Sequence, residues 1–152
     1  METSDLRDIA QKRYDDFVDA LREMVNVDCG SYTPDGVNVI ADLCQARFER
    51  GGWAVERMRH EPDEGQEQLG DLVIGRLEGS GSKRVLMIGH TDTVFDTGTV
   101  AERPFATDGD RAFGPGVTDM KGGLLTGFFA VEVLQAAGFE DFGRVTYICN
   151  PD

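Results

Sequence analysis

Basic residues are scarce: 15 Lys and Arg stand against 28 Asp and Glu in 152 residues, a formal net charge of −13. That deficit excludes a polyanion-binding surface, because nucleic acid is held by clustered Lys and Arg that replace its counterions. No apolar run approaches the ~20 residues a membrane span needs. The opening METSDLRDIAQKRYDD is charged from the start and has no apolar core of the kind a secretion signal carries. Cysteines number three, Cys29, Cys44 and Cys149, an odd count without C-x-x-C or other zinc-ligand spacing. The expectation is a reduced, cytoplasmic protein with neither a nucleic acid nor a membrane as partner. Several nucleotide and nucleophile signatures are also missing. There is no G-x-x-x-x-G-K-[ST] loop for a phosphate and no G-x-S-x-G turn for a nucleophilic serine.

What is present is enough for a core. The apolar fraction is 40%, with nine Phe, which rules out a disordered acidic tail. The length suits one domain. Apolar residues from Leu6 to Val25 recur at three- and four-residue steps and predict one helix, capped by Thr3 or Ser4 and running to about Val27. After the turn DCGSYTPDG a second helix is expected over Val37 to Arg50, stopped by Gly51-Gly52. Short apolar or alternating runs read as strands at Trp53–Met58, Asp71–Leu77 and Arg84–Gly89. Asp108-Gly109-Asp110 reads as a hairpin tip. Gly122 to Ala137 is apolar almost all round and is expected as a helix buried against a sheet, followed by a strand at Arg144–Asn150. Helices alternating with strands indicate an α/β fold, a layered sheet flanked by helices.

In such sheets, ligands gather at the carboxyl ends of strands. Three ends stand out: Gly89 leading into His90-Thr91-Asp92-Thr93, the Gly-rich loop Gly114 to Gly123 around Asp119, and Cys149 leading into Asn150-Pro151-Asp152. His90 is one of only two histidines, and an imidazole ending an apolar strand is a rigidly held zinc ligand. Asp92, two residues on, can reach the imidazole's other N–H and fix its tautomer. Taken alone, an H-x-D triplet is more often a capped strand end, and a carboxylate before a helix more often a cap. The run G-x-G-x-x-D around Asp119 is no dinucleotide fingerprint, because an anion would meet a carboxylate there. His60, in the acidic stretch RHEPDEGQEQ, reads as a solvated surface residue. Cys44 and Cys149 read as small apolar fillers, and Cys29 is not placed by its surroundings. The second half, residues 85–152, carries four basic and ten acidic groups, so it holds a cation more readily than an anion.

In combination, GHTDTVFDTGTVAERPF, then GPGVTDMKGG, then RVTYICNPD resemble the dinuclear zinc metallopeptidase family of glutamate carboxypeptidases, aminoacylases and dipeptidases, its bacterial glutamate carboxypeptidase branch in particular. The resemblance runs over residues 5 to 152. It implies a zinc-peptidase-like catalytic domain with two zinc ions, cobalt or manganese being possible substitutes. It makes His90 a ligand of one ion and Asp119 the carboxylate bridging both. Asp92 becomes the site residue that orients His90, and Met120 the position after Asp119, where such enzymes often have a cis peptide. It implies a small peptide or N-acylated amino acid as substrate, with release of an acidic C-terminal residue such as glutamate, or alternatively N-deacylation. A homodimer is possible for the complete enzyme. The family's two glutamates, a general base and then a ligand, follow the N-x-D strand end, whereas here the chain ends at Asp152. The expectation is therefore the N-terminal part of a catalytic domain, without its second histidine or lid domain, and inactive alone. A non-enzymatic α/β remnant serving as an interaction module is the reading of another class.

Overall fold

The computed structural model describes residues 3–152. Helices α1 (Thr3–Lys12), α2 (Tyr14–Val25) and α3 (Pro34–Arg50) precede strands β1 (Ala54–Met58), β2 (Leu72–Glu78) and β3 (Arg84–His90). A short helix α4 (Thr99–Glu102) leads to the hairpin β4 (Ala106–Asp108) and β5 (Arg111–Phe113), and helix α5 (Gly122–Ala136) and strand β6 (Arg144–Asn150) complete the fold. The strands and their boundaries follow the expected runs to within a residue or two, and Gly109 does sit at the hairpin tip with φ +60°.

The first expected helix is two. It breaks at Arg13, whose N–H bonds only as far back as the Ala10 carbonyl, 3.0 Å. The bend lets both pieces lie against α5, where Phe17 meets Phe129 edge-on at 5.2 Å and Arg13 reaches Glu132 at 2.8 Å. Apolar spacing persists across the break, so periodicity alone cannot register it. The third expected helix is preceded by a widened five-residue turn, Val117–Lys121, and the α4 turn has no apolar signal.

The main sheet has the order β1-β2-β6-β3, antiparallel except for the parallel β6–β3 pair. Period-two alternation puts Val73, Gly75 and Leu77 of β2 and Val145, Tyr147 and Cys149 of β6 on one buried face. Helices α3 and α5 cover that face. Phe48 of α3 packs on Phe128 of α5 at 4.7 Å and on Tyr147 of β6 at 5.9 Å, and Phe48 is fully buried. Burying a side chain of that size contributes about 1.5–3 kcal/mol. On the opposite face Leu86 and Ile88 of β3 remain 60% and 63% exposed. The parallel β6–β3 pair aligns two carboxyl ends, with Asn150 beside His90.

Candidate metal centre

His90 ends β3 at a fixed point. Beyond it, the Thr91 N–H and hydroxyl both donate to the Asn150 carbonyl, at 2.7 and 2.9 Å. The next residues run alongside the turn after α2, where the Thr93 N–H donates to the Cys29 carbonyl at 2.8 Å. Those bonds explain how Thr91 and Thr93 can be buried though polar.

Asp119 arrives from the other side of the cleft on the Gly-rich loop. Gly116 holds φ +74°, and a Cβ there would fall 2.6 Å from Thr93 Cγ2, so the loop can press against the 91–93 segment only with glycine at this position. Lys121 anchors the same loop from beneath. Its buried Nζ donates to the Val27 carbonyl at 2.9 Å and to the Pro115 carbonyl at 3.3 Å. Burial lowers the Lys121 pKa, and it raises that of the neighbouring Cys29 thiol. The Asp119–Met120 peptide is cis, at the position the resemblance implied.

The three expected site residues come together. His90 Nε2 lies 2.9 Å from Asp119 Oδ1, and His90 Nδ1 lies 2.9 Å from Asp92 Oδ1. The side chain of Asp119 is 84% exposed, that of Asp92 9%. Burial lowers the imidazole pKa, but hydrogen bonds and charge from Asp119 and Asp92 outweigh it and leave His90 above its ordinary value of 6.5. Two carboxylates bracketing the ring favour positive charge at it. The three residues rim a cleft of about 270 Å3 that Val94, Phe95 and Val117 also line.

The donor set suits a borderline-soft divalent ion, an imidazole nitrogen with a carboxylate oxygen. Zinc–ligand lengths of ~2.0–2.2 Å at a tetrahedral angle put two donors on one ion ~3.3–3.5 Å apart. The observed 2.9 Å asks Asp119 to move outward by a fraction of an ångström, and its exposure leaves it free to do so. Yet among the described residues no group of three or more His, Cys, Asp or Glu is placed to hold a metal. The other two positions of a four-ligand shell would come from elsewhere.

Two further residues belong to the site and were not singled out in the sequence. Ser31, in the turn after α2, donates its hydroxyl to Asp92 Oδ2. Lys121 ties the Gly-rich loop to the turn after α2 through the Pro115 and Val27 carbonyls. Neither has a local signal, since each acts on a partner distant in sequence. His60, expected as a solvated residue, is half-buried instead: its Nδ1 accepts the Leu69 N–H at 3.1 Å, and its carbonyl accepts from Gln68 Nε2 at 2.8 Å. It braces the acidic loop and lies outside the His90 cleft. All three cysteines are buried and unpaired, Cys44 and Cys149 in the core as expected.

Residues 86–152, which hold all three expected site residues, match the model of peptidase family M20/M25/M40. Carboxypeptidase G2 of Pseudomonas sp. (strain RS-16) is 30% identical over 135 residues, covering 89% of this chain and 32% of that protein. Acetylornithine deacetylase of Myxococcus xanthus is 35% identical over 105 residues, covering 67% of this chain and 27% of that protein. The chain thus spans about a third of the length of the curated relatives it matches. Among solved structures, human carnosine dipeptidase 1 superposes with a TM-score of 0.80 over 97% of this chain and 34% of its own, at 21% identity, a likeness of fold. Residues 86–152 therefore belong to peptidase family M20/M25/M40, and the chain is a relative of its carboxypeptidases and deacetylases.

Proposed function

We propose that this chain supplies the first part of the metal centre of a zinc-dependent hydrolase that cleaves peptide or N-acyl amide bonds. The observation that carries this reading is the convergence of His90 Nε2 and Asp119 Oδ1 at 2.9 Å, with Asp92 behind the imidazole. His90 and Asp119 would hold the metal, Asp119 as the bridging group, while Asp92 orients His90. Zinc bound there would polarise the scissile carbonyl and make a bound water nucleophilic at neutral pH. Each residue of this chain has its own task. Asp92 keeps the imidazole in one orientation and stabilises its positive charge. The buried Thr91–Thr93 segment fixes where β3 ends. Phe95 and Val117, both half-buried, give the cleft an apolar side. The general base and the remaining ligands lie outside these residues, so on this reading residues 1–152 are the N-terminal part of a catalytic domain and turn over nothing alone.

Release of an acidic C-terminal residue such as glutamate is the substrate reading kept, with an amino-acid N-deacylase as its alternative. The 35% identity to a deacetylase supports the second. The cleft itself has no Lys or Arg among its lining residues, so a substrate carboxylate would be held by groups from outside this chain. The unpaired thiols support a reducing, cytoplasmic setting.

Calorimetric titration of the 152-residue chain with zinc tests the reading. Weak binding that His90→Ala and Asp119→Asn each diminish is expected. Tight binding untouched by both substitutions, or no binding at all, would remove it.

A further inference from the structure

Away from the His90 cleft, three arginines line a second cleft beside α5. Arg13 comes from the break between α1 and α2, and Arg47 and Arg50 from the last turn of α3. With Asp16, Phe129 and Glu132 they enclose about 450 Å3, and none of these residues lines the His90 cleft. Three guanidiniums there face two carboxylates, an inversion of charge in a chain whose formal net charge is −13.

The pairing inside this cleft is lopsided. Glu132 serves two partners, Arg13 through Oε2 at 2.8 Å and Arg47 through Oε1 at 3.1 Å. Arg50 and Asp16 form no ion pair among the described residues. Arg47 is held most firmly. Its guanidinium lies over the Phe129 ring, 4.7 Å from the centroid, and its side chain is 13% exposed. Only Nη1 has an acceptor. Nε and Nη2 donate to no described residue, yet neither is sealed from solvent. Burial lowers the Arg47 pKa, Glu132 opposes that shift, and the positive charge of Arg50 reinforces it. The two arginines of α3 therefore repel each other.

A guanidinium edge is a planar fork of N–H donors that matches the oxygens of a carboxylate or a phosphate. An anion between Arg47 and Arg50 would take the free donors and cancel the repulsion. The volume is that of a small-molecule site, so the anionic group can carry an organic body.

We propose that this cleft binds an oxyanion, the phosphate or carboxylate end of a small metabolite, against the free edge of Arg47 and the side chain of Arg50. Glu132 holds the empty site together and competes with the ligand for Arg47. The site is independent of the metal centre and of the function proposed above.

The metal-free 152-residue chain is titrated by calorimetry with inorganic phosphate and, separately, with glutarate. Each is read against sodium chloride of matched ionic strength, which removes general screening. The shift in thermal midpoint gives a second readout, since a ligand of the folded state raises it. One site per chain is expected for at least one anion. Phosphate alone marks an organic phosphate as the ligand, glutarate alone a carboxylate, and both a site that reads their shared oxygens. Arg50 is exposed, so its substitution spares the packing. Arg50→Gln should weaken binding about 10-fold, as losing one hydrogen bond between charged groups does. Arg50→Glu should abolish it. Glu132→Gln frees both arginines and should tighten binding; if that variant does not fold, the Arg50 pair decides alone. Neither heat nor a thermal shift beyond the chloride control, for either anion, overturns the proposal. So does binding that Arg50→Glu leaves at parent strength, because the anion would then sit elsewhere. A folded Glu132→Gln that binds more weakly than the parent would overturn the competition assigned to Glu132.

Discussion

Gly75 of β2 lies directly beneath the ring of Phe48 on α3: a Cβ built on the glycine would fall 2.3 Å from Phe48 Cδ1. The sheet and the helix layer therefore approach as closely as a backbone allows, and the ring fills the space a side chain would take. Gly75→Ala should force the ring aside and cost about 1–3 kcal/mol, as overpacking does. Urea unfolding measures it. Stability equal to the parent would show that the Phe48 cluster yields freely.

Asp92→Asn keeps an acceptor for His90 but removes the charge behind the imidazole. Zinc affinity of the chain is expected to fall about 10- to 100-fold, with the fold retained. Competition against a chromophoric chelator gives the number. An unchanged affinity would deny Asp92 any part in the site.

Glu132 of α5 binds Arg13 at 2.8 Å and Arg47 at 3.1 Å, and Arg47 also stacks over the Phe129 ring, 4.7 Å from its centroid. Burial lowers the Arg47 pKa, and the Glu132 carboxylate beside it opposes that shift. Glu132→Gln should destabilise by about 1–3 kcal/mol, more than the ~0–1 kcal/mol of an exposed pair. A double-mutant cycle with Arg13→Gln and Arg47→Gln apportions it. A coupling near zero for both would mean that the arginines are held by packing alone.

The exposed apolar residues of β3, Leu86 and Ile88, lie on an edge strand, which is a template for pairing between copies. The isolated 152-residue chain is expected to self-associate and to bind a dye for apolar surface, in spite of a net charge of −13. Light scattering after size exclusion reads the mass, and Ile88→Lys should shift it toward the monomer. A sharp parent monomer without dye binding would show that the sheet tolerates this face in water.

Much of the site was legible because its signals are local. An apolar strand running into His90, an acid two residues later and a Gly-rich loop before a buried helix are all contiguous in sequence. Their meeting across the cleft was implied only by the family resemblance, which put His90 and Asp119 on a shared ion. Ser31 is 61 residues from Asp92, and a serine in a polar turn looks like any other until the turn is clamped to the strand end. His60 shows the same limit, since a histidine in an acidic stretch reads as solvated until Leu69 folds back on it. In the fold, each strand announced itself by alternation, but neighbourhood did not: nothing in the runs of β2 and β3 says that β6 separates them. The break at Arg13 was equally silent, because the apolar spacing continues through it.

The place of β6 bears on when this protein can fold as it is made. Strands β2 and β3 are successive along the chain, yet they do not pair with each other. They leave a slot one strand wide, filled by a segment synthesised after α5. Until Arg144–Asn150 leaves the ribosome, β2 has only β1 beside it and β3 has no neighbour in the main sheet. Closing such a distant pairing carries a loop-closure cost that nearby contacts do not. The nascent sheet therefore waits, half-built, and the alignment of His90 with Asn150 forms only after α5 and β6 have been made.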